Sequence, residues 1–285
     1  MTDADDERPS TRLRASCARP VVLAVGGLDP SGAAGILADA RAIAAAGAHP
    51  ACVATALTVQ STAGCVDVAP VDPELLRAQL AHLAGAQPPA VVKLGALGAG
   101  EAARVVAQFL ATCTCPVFVD PVAAASVAAP GGRPLADDAA RAILALEILP
   151  RGVVVCANGP ELEALTGAPA HGPDAAIAAA RVLLDRGARA VLAKGGHWRS
   201  GDATDALVTG GGVTLLPAPR LDAADVHGTG CTLASLLAGR LAVLGASDDN
   251  ALVAAARWAK GVLFRALEAP VVVGEGQRVV RVEQG

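Results

Sequence analysis

The segment Asp225-Val226-His227-Gly228-Thr229-Gly230-Cys231-Thr232 ends where a Leu-rich stretch of helical period begins. Glycines at such a junction let several backbone N–H groups turn toward one point, and the helix N-terminus adds positive partial charge there. That combination makes an anion hole centred on Gly228, Thr229 and Gly230. Cys231 falls in the first helical turn, where a thiol of ordinary pKa about 8.5 is expected to shift toward thiolate. The plainer reading is a Gly-rich turn with Cys231 as a small core residue. A second loop, Gly26-Gly27-Leu28-Asp29-Pro30-Ser31-Gly32-Ala33-Ala34-Gly35, lets backbone approach a ligand closely. It lacks GxGxxG, and the chain has no GxxxxGK[ST], so neither a dinucleotide fingerprint nor a P-loop is present. Asp39, on the first turns of the following helix, reads equally as a solvated face or a ligand contact.

Asn158-x-x-Glu161 puts an amide and a carboxylate one helical turn apart, just after an apolar run. Glu161 suits either a helix cap or the water shell of Mg²⁺, which keeps most of its waters and takes only one or two carboxylates. Asp120 offers a second carboxylate. Lys194, before Gly195-Gly196, is either an isolated surface lysine or a point charge for a nucleotide phosphate. An anion hole, a hard-cation site, a lysine and a base together suggest phosphoryl transfer.

These residues need elements to hold them at one edge. Short Val-rich runs at 21–25, 52–59, 91–94, 117–119, 153–156 and 190–193 read as strands. Between and after them, Ala- and Leu-rich segments near 33–46, 73–85, 100–111, 137–147, 174–187, 230–244 and 249–268 read as helices, the βαβ pattern of a parallel sheet. Residues 202–219, with Gly210-Gly211-Gly212 at the centre, read as a hairpin. The chemistry-bearing residues follow the strands, where open α/β sheets bind ligands.

A balance of 23 Lys+Arg against 27 Asp+Glu, with no basic cluster, argues against nucleic acid or an anionic membrane as partner. The longest uncharged run, 42–66, is broken by turn and polar residues, so no membrane span is expected. The acidic, polar N-terminus is unlike a signal peptide, and the seven cysteines lack zinc spacing, which points to a reducing cytoplasm. Residues 1–19 are expected to be a disordered lead-in and 20–285 a single domain.

The segments GGLDPSGAAGILAD, TALTVQST, VVKLGALG, VFVDPV, ANGPE, AKGGH and HGTGCT occur in an order and spacing that resemble the hydroxymethylpyrimidine/phosphomethylpyrimidine kinases of thiamine biosynthesis. The resemblance runs from about Pro20 to Leu267. It implies a ribokinase-like three-layer α/β/α sandwich with a mostly parallel central sheet. It further implies ATP and Mg²⁺ as cofactors and phosphorylation of 4-amino-5-hydroxymethyl-2-methylpyrimidine, then of its monophosphate. By position, Gly27, Asp39 and Gln60 would contact the aminopyrimidine. Asn158, Glu161, Lys194 and Gly196 would serve ATP and Mg²⁺, with Asp120 as the other carboxylate near the metal. The Gly228–Cys231 amides would hold the transferring group, with Cys231 in the base position. The chain departs from the family pattern at Leu28, Ala33, Ala96, Cys156-Ala157, 123–132 and Asp225-Val226, with Leu28 and Ala96 expected at the pyrimidine pocket. The alternatives are a pyridoxal kinase of the same fold and a pyrimidine-binding protein without catalysis. Partners are expected to be small molecules, with self-association into a homodimer left open.

Overall fold

Along the first strand, β1 (Val21–Leu28), side chains alternate between two faces, and both faces are buried: Val22 and Ala24 pack on one side, Leu23 and Val25 on the other. A strand covered twice reads as a continuous apolar run, the signature of a sheet sandwiched between helices. The computed structural model describes residues 18–122, 134–198, 202–221 and 226–282. The expected lead-in lies almost wholly outside these residues, as do the 123–132 stretch and Asp225.

After β1 come α1 (Gly35–Ala45), β2 (His49–Ser61), β3 (Gly64–Pro70), α2 (Pro73–Ala86), β4 (Val91–Leu94), α3 (Gly100–Leu110), β5 (Val117–Val119) and α4 (Asp138–Ile143). The chain continues through β6 (Val154–Asn158), α5 (Gly159–Thr166), α6 (Pro173–Asp185), β7 (Ala190–Lys194), β8 (Asp205–Thr209) and β9 (Gly212–Leu216). It ends with β10 (Val226–His227), α7 (Thr229–Leu244), α8 (Asp249–Glu268) and β11 (Arg278–Val279). The nine-stranded sheet has the order β3-β2-β1-β4-β5-β6-β7-β8-β9, parallel from β2 to β7 and antiparallel at β3, β8 and β9. Helices α2 to α6 cover one face, and α1, α7 and α8 the other.

The expected strands and helices are present with shifted ends. The 202–219 hairpin is β8 and β9. Four elements escaped the pattern: β3, which lies on the edge and folds back on β2, α5, a single capped two-turn helix, and the two-residue strands β10 and β11, which pair with each other. The expected 137–147 helix stops being α-helical after Ile143 and continues as a π turn over Leu144–Ile148.

Strand order reverses between β1 and β4, and ligand crevices open beyond the carboxyl ends at such a switch point. Gly26 and Gly95 meet there. A methyl group on Gly26 would stand 3.4 Å from the Gly95 Cα, so the floor of the crevice is bare backbone. Helix α7 is buried on nearly every side, beneath α1 and α8, which fixes where its N-terminus points.

Candidate active site

Both Gly-rich loops meet at the N-terminus of α7. Gly228 has φ +82°, and a Cβ there would lie 2.0 Å from the Ala33 carbonyl oxygen. Gly35, at φ +59°, is likewise seated 2.3 Å from the Gly27 carbonyl by the same construction. Only glycine allows this stacking of backbone on backbone. No side chain caps the first turn of α7, so its N–H groups remain available to an anion. A Cβ on Gly230 would approach Lys194 Nζ to 3.2 Å and the Asp120 carboxylate to 3.7 Å. The loop is therefore wedged between the first Gly-rich loop and a buried charged cluster.

That cluster spans the ends of three strands. Lys194 Nζ donates to Asp120 Oδ1 at 3.0 Å and lies 3.2 Å from Glu161 Oε2. Lys93, fully buried on β4, donates to both carboxylate oxygens of Asp39 at 2.9 and 3.0 Å and sits 4.0 Å from Asp120 Oδ2. Ser235 of α7 donates to Asp39 as well, at 2.8 Å. Burial alone would push both ammonium groups down, but the carboxylates around them hold both above the ordinary lysine value. Burial also raises the Asp120 carboxyl, and Lys194 and Lys93 outweigh it, keeping Asp120 ionised.

The geometry corrects several expectations. Asp39 borders the cavity, but both of its oxygens are taken by Lys93 and Ser235. It is a buried counter-ion rather than a solvated face. Lys194 is enclosed rather than a surface lysine. Asn158 and Glu161 form a reciprocal capping box, with Glu161 N donating to Asn158 Oδ1 at 2.9 Å and Asn158 N donating to Glu161 Oε2 at 2.8 Å. Leu28 is not among the residues lining the cavity, whereas Ala96 is.

The largest correction concerns Cys231. Part of the residue faces the cavity, yet its thiol is enclosed and pushed up to about 12. Burial is the main cause. Lys93 opposes it, and the Asp120 and Asp39 carboxylates add to it. The helix N-terminus does not win, because desolvation of a thiolate outweighs a partial charge.

Gln60, Gly27, Asn158, Glu161, Lys194, Gly196 and the Gly228–Cys231 loop line one cavity of about 1010 Å³. The lining of the same cavity includes Asp29, Gln60 and His227, and an apolar slot of Leu263, Phe264 and Leu267 of α8 with Ala218, Pro219 and Arg220. Sequence reasoning missed Lys93, which sits inside an apolar strand, and this apolar slot, whose walls come from segments far apart in the chain. The apolar stripe of α8 was legible, but not that it borders a ligand.

Mg²⁺ fits the polar middle of the cavity. Asp120 Oδ2 is buried without a hydrogen-bond partner among the described residues, and Glu161 stands on the other side of Lys194. Among the described residues no three His, Cys, Asp or Glu side chains converge on one point. The fit is thus the water-rich, two-carboxylate kind. No helix among them is long and apolar enough to cross a membrane.

Residues 29–281 match the family described as phosphomethylpyrimidine kinase. The hydroxymethylpyrimidine/phosphomethylpyrimidine kinase of Rhizobium meliloti (strain 1021) is 35% identical over 260 residues, covering 90% of this chain and 94% of the relative. Among solved structures, a phosphomethylpyrimidine kinase from Clostridium difficile 630 superposes with a TM-score of 0.71 at 28% identity, over 85% of this chain and 99% of that one. Pyridoxal kinase from Staphylococcus aureus, solved with AMP-PCP and pyridoxal, gives 0.81 at 23% identity over 93% and 94%, a likeness of fold. The sheet order, the loops at its switch point and this extent of match agree: the chain is a kinase with the ribokinase-like fold and belongs to the phosphomethylpyrimidine kinase family.

Proposed function

We propose that the protein transfers the γ-phosphoryl group of ATP to the hydroxyl of 4-amino-5-hydroxymethyl-2-methylpyrimidine, and then a second phosphoryl group to the resulting monophosphate. The observation that carries this reading is the position of the Gly228–Cys231 loop. It packs against the first Gly-rich loop on one side and against Lys194 and Asp120 on the other, within a single cavity. A small ring held by Gly27 and Gln60 and a nucleotide held near Lys194 would then meet at the N-terminus of α7.

The apolar slot of Leu263, Phe264 and Leu267 suits a flat purine, and Lys194 and Gly196 lie where phosphates would follow. Phosphoryl transfer passes through a loose transition state with charge on the transferring oxygens, so positioned N–H donors and cations contribute most of the stabilisation. Mg²⁺ bound through Asp120 and Glu161 would supply neutralisation of the β- and γ-phosphates. Cys231 enters as a thiol and completes the hole rather than acting as a resting base. The second acceptor, a phosphate monoester, is already ionised at pH 7.

Product analysis by ³¹P NMR tests the reading, with the pyrimidine alcohol, its monophosphate and pyridoxal supplied separately with ATP and Mg²⁺. Conversion of both pyrimidines ahead of pyridoxal is expected. Preference for pyridoxal, or binding of the pyrimidine without turnover, would overturn it.

A further inference from the structure

Two glycines follow Lys194, and a turn without side chains keeps its place only through its backbone. Gly195 lies directly on the chain that leads into β8, where a Cβ would collide with the Thr204 carbonyl oxygen. Gly195 N donates to Asp205 Oδ1 at 2.7 Å, and Arg220 donates to the Gly196 carbonyl at 2.9 Å. Of these two side chains, Arg220 is exposed and Asp205 is buried. The buried carboxylate is thus the inner anchor of the segment that carries Lys194 and Gly196.

The counter-charge to that anchor comes from α8. Lys260 Nζ stands 2.7 Å from Asp205 Oδ2 and donates to the Ala203 carbonyl at 2.6 Å. Burial pushes the Asp205 carboxyl up, against the pull of Lys260 and of the Gly195 N–H. Lys260, Leu263, Phe264 and Leu267 recur along α8 at three and four residues, so one face of the helix carries both the lysine and the apolar slot. The helix that walls the slot therefore also holds, through Lys260, Asp205 and Gly195, the turn behind Lys194.

We propose that Lys260 and Asp205 are positioning residues for the nucleotide: the lysine, fixed by α8, holds the carboxylate that holds Gly195, and so sets Lys194 and Gly196 against the phosphates. Removing Lys260 strands a buried carboxylate, which then leaves its place or takes a proton, and the turn loses its inner anchor. The inference rests on the reading that puts ATP phosphates beside Lys194, and it does not depend on which acceptor receives the phosphoryl group.

Calorimetric titration with AMP-PCP and Mg²⁺ tests it without any acceptor, and urea unfolding of the same variants reports stability separately. Lys260→Met is expected to weaken AMP-PCP binding about tenfold, the order of one charged hydrogen bond. Asp205→Asn keeps an oxygen for Gly195 N but sets an amide N–H against the ammonium group, and a loss of about the same size is expected. In Lys260→Met/Asp205→Asn a neutral amide still accepts from Gly195 N and no buried charge is stranded, so affinity is expected to return to within about threefold of the wild type. A double variant as weak as Lys260→Met, or weaker, would mean that the lysine acts on the nucleotide directly and would overturn the positioning role. Wild-type affinity in every variant, with only the urea midpoint lowered, would reduce the pair to packing and overturn it too. Should Lys260→Met fail to fold, Asp205→Asn against the double variant decides in the same way: recovery supports the proposal and its absence sinks it. Lys194→Met tests the underlying reading, with a loss of about tenfold or more expected. Unchanged affinity there would remove the phosphates from Lys194 and take this inference with it, whereas a loss there without recovery in the double variant sinks the inference alone.

Discussion

Two lysines flank Asp120 under the same loop, and they live in different surroundings. Lys93, in the middle of β4, has no exposed surface and donates hydrogen bonds to both oxygens of Asp39, a residue that also accepts one from Ser235. Lys194, at the end of β7, has a tenth of its side chain exposed and bridges Asp120 and Glu161 at the wall of the cavity. One ammonium is sealed into the layer between sheet and helices. The other stands where a phosphate would arrive. The comparison teaches that a buried ion pair can hold a site in shape while a neighbouring one remains open to exchange partners with a ligand.

The sharpest way to break this contrast is to remove each cation in turn. Lys93→Met leaves Asp39 buried and uncompensated, and the loss of one partner of a buried pair costs about 3–5 kcal/mol. Urea unfolding should show a loss of that order, and Lys93→Met/Asp39→Asn should recover a large part of it, because the remaining group is neutral. Lys194→Met should fold with a smaller loss of stability, since Lys93 still faces the Asp120 carboxylate at 4.0 Å and Glu161 is partly hydrated, yet turnover should fall about 10²–10³-fold, as when one charge-stabilising donor is removed. If Lys194→Met unfolds while Lys93→Met keeps its stability, the assignment of roles is reversed.

A smaller effect is expected at Gln60. Gln60→Leu should raise the KM for the pyrimidine about tenfold while the KM for ATP holds. An unchanged pyrimidine KM would remove Gln60 from the pocket.

The smallest effect belongs to Cys231, which lies between the lysines and reports the field of Lys93. Because burial raises its thiol to about 12, iodoacetamide labelling of Cys231 should climb about tenfold per pH unit from pH 7 to 9 without levelling. A plateau near pH 7 would mean a thiolate. Cys231→Ala should slow both phosphorylations by similar factors, about tenfold or less. A selective loss of about 10²-fold or more in the alcohol step would restore Cys231 as its base.

Much of the frame was legible before any coordinates. Apolar runs alternating with helical segments specify the βαβ order, and the polar clusters after 25, 59, 119, 157 and 193 mark which sheet edge carries ligands. Gly228 and Gly230 announced a close approach of backbone, and the structure shows what they approach, namely Ala33 and Lys194. The edge strand β3 went unread because strands half open to solvent have neither a full apolar run nor a clean alternation; Val66 is exposed while Cys65 and Val68 are buried.

By itself, the sequence determined the order of elements, the edge at which the chemistry collects and the residue types present there, because these depend on local period and turn chemistry. The tertiary structure alone decided which charges pair and which groups ionise. Asp39 finds Lys93 across 54 residues and Ser235 across 196. Burial beside those same groups pushes the Cys231 thiol up, because it removes the water that a thiolate would need. Desolvation and charge pairing act through space, so a residue's neighbours in the chain carry no record of them.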